Sequence, residues 1–191
     1  MEAKGQLITA LDLLDKQTGT LERDQIEIAV RLNLTICMWN EPNGSGFTNS
    51  ITLLNPAILL CEKIGDNASL FEVLWALQFQ HSARAEPQQA RAINEKLLRS
   101  ATETRDTEMN ARARTWRGYC SVYEGDFIAA QRDFDQVYNS TTAIPTARPL
   151  AYDWRIESRA FGSFALWALG HPEQAQREVP NHARVLVKKR R

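Results

Sequence analysis

Arg84-Ala85-Glu86-Pro87-Gln88-Gln89-Ala90, Glu124-Gly125-Asp126-Phe127-Ile128-Ala129-Ala130 and Leu169-Gly170-His171-Pro172-Glu173-Gln174-Ala175 are three stretches of one design. Each follows a long, aromatic-rich helical segment and opens a second one. The alanines at 90, 130 and 175 stand 40 and 45 residues apart. Two antiparallel helices approach closely only where a small side chain sits at the crossing, and alanine in the first turn of the second helix supplies it. The tight turn calls for glycine or a residue that tolerates a left-handed backbone. Proline or an aromatic at the next helix start then fixes the entry of the chain. A single hairpin cannot bury its apolar face, so hairpins must stack.

Helical periodicity extends outward from these turns in both directions. Leu7, Ala10, Leu11 and Leu14 form one stripe over Gln6 to Lys16, which Gln17-Thr18-Gly19 stops. Thr20 is placed to cap a second helix running to about Asn40. Glu41 to Gly46 (EPNGSG) is the clearest loop. A helix from about Asn49 to Ile64 follows, with two readings of Pro56: either Asn55 caps a later start with Pro56 at the first position, or Pro56 kinks a longer helix. Ser69 to Arg84 is apolar on more than one side. Further helices are expected from Pro87, over Met109 to Tyr123, and over Phe127 to Tyr138 with Phe127, Ala130, Phe134 and Val137 on one face. Ser140 to Pro149 is a second long connection. Tyr152 to Leu169 is an aromatic helix, and Glu173 to Val179 a short one that Pro180 ends. The expectation is an all-α chain of stacked antiparallel hairpins, about 8–9 helices, with hairpins at roughly 20–65, 69–104, 107–140 and 147–179. Together they form one domain over 1–180, followed by a tail at 181–191.

Gly118, Gly125, Asp126, Phe127, Ala130 and Phe134 resemble a tetratricopeptide repeat in its small-residue, turn and aromatic positions. Gly170, Pro172 and Ala175 match in a later hairpin. An earlier one matches only through Pro87 and Ala90, since Gln78 stands where a small residue is usual. The spacings exceed that family's period of about 34. The stretch Cys61 to Asp66 (CEKIGD), Leu70 to Arg84, and the GDF and GHPEQA turns looks like the helical repeat region C-terminal to the ATPase module of large bacterial signalling proteins. Those proteins often carry an adenylate-cyclase-like or winged-helix domain. The resemblance implies a right-handed α-solenoid acting as a sensor or interaction platform. The ATPase and cyclase parts are not in this chain, which fits a fragment, a truncated product or a stand-alone relative.

Composition excludes more than it assigns. The 191 residues hold 23 basic and 23 acidic side chains, a formal net charge of zero, so no broad polyanion-binding surface is expected. The run Lys188, Lys189, Arg190, Arg191 is a solvated chain end or a phosphate-contacting tail. Hydrophobic residues make up 43%, and only 9 Gly and 7 Pro occur, which suits long helices with short connections. Cys37, Cys61 and Cys120 lie in apolar helical contexts without metal spacing, as free thiols of a reducing cytoplasm do. Neither a signal peptide nor a membrane span is expected.

No phosphate-cradling G-x-x-x-x-G-K-[ST] or G-x-S-x-G elbow occurs. Gly44-Ser45-Gly46 follows no strand. His81, His171 and His182 have no partners at metal-ligand spacing, and Asp12 and Asp15 read as a solvated face. The expectation is therefore not an enzyme, with no cofactor, a protein or peptide partner, and neither nucleic acid nor membrane. First helices of stacked hairpins line a concave surface, which makes Trp75, Phe79, Tyr119, Phe164 and Trp167, with Arg112 and Glu157 as polar neighbours, the candidate partner-binding residues. Taken singly, each aromatic also reads as core packing between hairpins. The alternatives are an orphaned fragment, a nucleotide-dependent enzyme component, and a nucleic-acid binder acting through the tail.

Overall fold

The computed structural model describes residues 2–39, 50–140 and 154–178. Among these the protein is all-α. Its helices are α1 (Glu2–Leu14), α2 (Leu21–Trp39), α3 (Ile51–Ile64), α4 (Asn67–Ala83), α5 (Pro87–Thr104), α6 (Thr107–Tyr123), α7 (Phe127–Tyr138) and α8 (Trp154–Ala168), with a ninth segment at 172–178. The loop at Glu41–Gly46, most of the connection ending at Pro149, the start at Tyr152, His182 and the basic tail lie outside the described residues.

Contacts divide the chain into two compact units, Met1–Ile93 and Asn94–Arg191. In the first, α1 packs on α2, α2 on α3 and α4, and α3 on α4. Its core gathers Ile28, Leu54, Ala57, Cys61, Val73, Ala76 and Leu77. Arg23 donates to the Leu14 carbonyl and pairs with Asp24 and Glu27, Arg31 holds the other oxygen of Glu27 at 2.6 Å, and Lys63 reaches Asp24 at 2.5 Å. Both carboxylates are buried. Lys63, then Arg23, hold the Asp24 carboxyl below its usual range against the opposing effect of burial. In the second unit, α6, α7 and α8 pack pairwise. Phe134 of α7 is fully buried there, against Gly118 of α6 and Gly162 of α8. Arg117 grips both oxygens of buried Asp133, tying α6 to α7.

The turns give the chain its register. Gly65, Ala85, Arg105, Gly125 and Gly170 all have positive φ, between 53° and 86°. The first four stand twenty residues apart. After each comes Asp66, Glu86, Asp106, Asp126 or His171. The amide of this second residue donates back to a carbonyl five residues earlier at four of the turns, as Asp66 to Cys61 at 3.0 Å and His171 to Leu166 at 2.9 Å. That is a Schellman closure. The same residue then caps the next helix: Asp66 accepts from Ser69, Asp106 from Glu108 and Met109, and Asp126 from Ala129, at 2.9–3.0 Å. One residue thus ends a helix and the next begins another. Ala90, Ala130 and Ala175, five positions beyond their left-handed residues, are 1%, 0% and 6% exposed, as the crossing-point argument requires.

Several boundaries differ from the periodicity. Helix α1 starts at Glu2, because Glu2 to Gly5 contains nothing that stops a helix, and it ends at Leu14 instead of Lys16. Helix α3 begins at Ile51, so Pro56 lies inside it and is not its first residue. Burying Leu54 and Ala57, both 0% exposed, favours helix on each side of the proline. Helix α4 begins at Asn67, since Asp66 closes one helix and opens the next without a spacer. Thr20 caps α2 as expected, accepting from Arg23 at 3.2 Å.

Candidate functional site

Counting back from the left-handed residues places the aromatics in register. Phe79, Tyr119 and Phe164 each stand six residues before Ala85, Gly125 and Gly170. On a helix of fixed phase they occupy one azimuth, so what differs between them is the neighbour.

In the first unit Phe79 lies against Trp39 of α2, ring centroids 4.6 Å apart, and stacks with Trp75 at 6.2 Å. Trp39 meets Trp75 edge-on at 6.1 Å. All three are half-buried. In the second unit Tyr119 lies 3.9 Å from Phe161 of α8 and stacks on Trp116 at 5.0 Å and Tyr123 at 6.2 Å. Phe164 touches Phe127 at 6.2 Å and Trp167 at 6.4 Å, yet stays 48% exposed, with Trp167 at 62%. Tyr123 and Ile128 are 67% and 65% exposed. The two units thus hold separate members of the expected set, Trp75 and Phe79 in one and the remaining five in the other.

The polar pair takes different positions. Arg112 is 5% exposed, its guanidinium 5.4 Å over the ring of buried Trp154. Glu157 is half-buried in the first turn of α8. Burial pushes its carboxyl up to about 7, and Oε2 has no hydrogen bond from the described residues. Nearby, Thr115 and Ser158 share a buried hydroxyl contact at 2.8 Å.

Phe164 and Trp167 belong to a stripe. Ala160, Phe164, Trp167 and Ala168 are exposed, while Trp154, Ser158, Ala165 and Leu166 point inward. From Ala160 to Gly170 no side chain carries a charge. Sequence reasoning named Phe164 and Trp167 but missed Ala160, Ala168 and the covering aromatics Trp39 and Phe161; the charge-free run was the available signal. Another side of α8 is polar: Arg159 pairs with Glu178, lies 3.7 Å from the Tyr138 ring centroid, and lines a small open cleft of about 80 Å³ with Gln131, Asp135 and Gln174. The chain matches no protein-family model and no curated protein.

The other titratable groups lie in ion pairs, on the surface or in the interior. His81 bonds Glu86 at 2.6 Å, with His81 and then Arg84 holding the Glu86 carboxyl below its usual range. Asp12 is exposed, and Asp15 is an outer partner of Arg23 at 3.8 Å. Cys61 and Cys120 are buried free thiols, Cys37 is half-buried, and burial pushes Cys61 up to about 11. Among the described residues no group of three His, Cys, Asp or Glu is placed to hold a metal, and no helix is long and apolar enough to cross a membrane.

Proposed function

We propose that this chain is a non-catalytic protein-binding scaffold whose contact surface is the exposed aromatic face of α8. The observation that carries this is the charge-free stripe centred on Phe164 and Trp167, 48% and 62% exposed. Exposed contiguous apolar surface on a folded chain marks an association site. Tryptophan and other large aromatics are the anchors that dominate such sites. The resemblance to the repeat arrays of bacterial signalling proteins supports the same reading, and the free thiols suit a reducing cytoplasm. The half-buried cluster of Trp39, Trp75 and Phe79 serves as packing within its own unit in this reading.

The test is capture on the purified chain compared with a Phe164→Asp, Trp167→Asp variant that retains its helical circular dichroism. Under this reading a protein held by the parent is lost from the variant, while a Trp75→Ala, Phe79→Ala variant still holds it. Equal capture by the parent and the α8 variant refutes the assignment of the surface.

A further inference from the structure

We draw no further inference here: the strongest candidate, the small polar cleft between α7, α8 and the segment at 172–178, carries nothing because its groups already pair with one another, Arg159 with Glu178 and Gln131 with Asp135, and nothing in the structure points to a ligand for it.

Discussion

Phe134 is held between two glycines, and the two differ in how much room they leave. A Cβ built on Gly118 would lie 2.6, 2.8 and 3.0 Å from Cε1, Cζ and Cδ1 of the Phe134 ring. One built on Gly162 would lie 3.5 Å from Phe134 Cβ and 3.6 Å from Gln131 Oε1. The best separation for two carbons is about 3.5–4.0 Å. Both glycines are interior to helices, where alanine is favoured over glycine by about 0.8–1.0 kcal/mol. At Gly162 the new methyl finds ordinary contacts, so Gly162→Ala keeps the propensity gain and stabilises by about 1 kcal/mol. At Gly118 the methyl collides with a ring that is 1% exposed and cannot retreat, because α8 backs it. Overpacking of this kind costs about 1–3 kcal/mol, and more when the backbone must move. Net of propensity, Gly118→Ala destabilises by up to about 2 kcal/mol. Urea unfolding followed by circular dichroism measures both, and Gly118→Ala should lie about 1–3 kcal/mol below Gly162→Ala in stability. Adding Phe134→Leu removes the colliding ring atoms, so the cost of Gly118→Ala should shrink in that background, a coupling that a double-mutant cycle isolates. A Gly118→Ala chain as stable as the parent, or more so, would refute the packing argument.

The remaining predictions concern charge and turns. Glu157, raised to about 7 in the fold, holds its proton more tightly folded than unfolded, so its contribution falls as pH rises from about 4.5 through 7 and then levels off. Glu157→Gln should leave stability near pH 4 unchanged and raise it by about 2–3 kcal/mol at pH 8 relative to the parent, measured by urea unfolding at both pH values; equal effects at the two would exclude the titration. Asp106 caps α6 through two amides, so Asp106→Ala should cost about 1 kcal/mol in thermal unfolding, and Asp106→Asn much less. Arg105 holds a left-handed φ of 53° without being glycine, and Arg105→Gly should stabilise by a few tenths of a kcal/mol, the strain relief exceeding the added freedom of the unfolded chain. A loss of stability on that substitution would mean that the Arg105 side chain contributes more than its backbone costs.

The hairpin turns at Gly125 and Gly170 were legible because glycine followed by a capping residue and then an alanine has one economical conformation. Those at Gly65 and Arg105 were harder to place in the same series. Gly65-Asp66 reads simply as a helix stop, and Arg105 carries no glycine mark at all, so a period of forty residues hid a period of twenty. Pro56 was legible either as a helix start or as a proline inside a longer helix, and it lies inside the helix, where the burial of Leu54 outweighs the local preference for a start. The candidate site was legible in residue type and helical phase and illegible in exposure. Phe79, Tyr119 and Phe164 share one azimuth, and a periodicity argument treats them alike. Exposure is set by the neighbouring helix, and a single-helix pattern holds no information about that neighbour. Arg112 shows the same limit from the other side. Arginine is an interface residue by composition, and here it lies beneath solvent reach over Trp154.

A two-residue turn that closes one helix and caps the next has a further consequence for the proposed docking face. Because Asp66, Asp106 and Asp126 each accept amides of the following helix while their own position is fixed relative to the preceding one, neither helix can slide by a residue without losing cap bonds. The phases of α4, α6 and α7 are thereby tied to the helices before them. Gly170 and His171 impose the same closure after α8, through the bonds from His171 to Leu166 and from Gly170 to Trp167. Trp167 is thus held by its own carbonyl in the turn, three residues from the left-handed position, and Phe164 is one helical turn behind it. The exposed rings are presented by a backbone that is pinned at the end where they lie. A preorganised aromatic pair loses less ordering entropy on contact than one on a fraying helix end, which favours the proposed use of this face for docking.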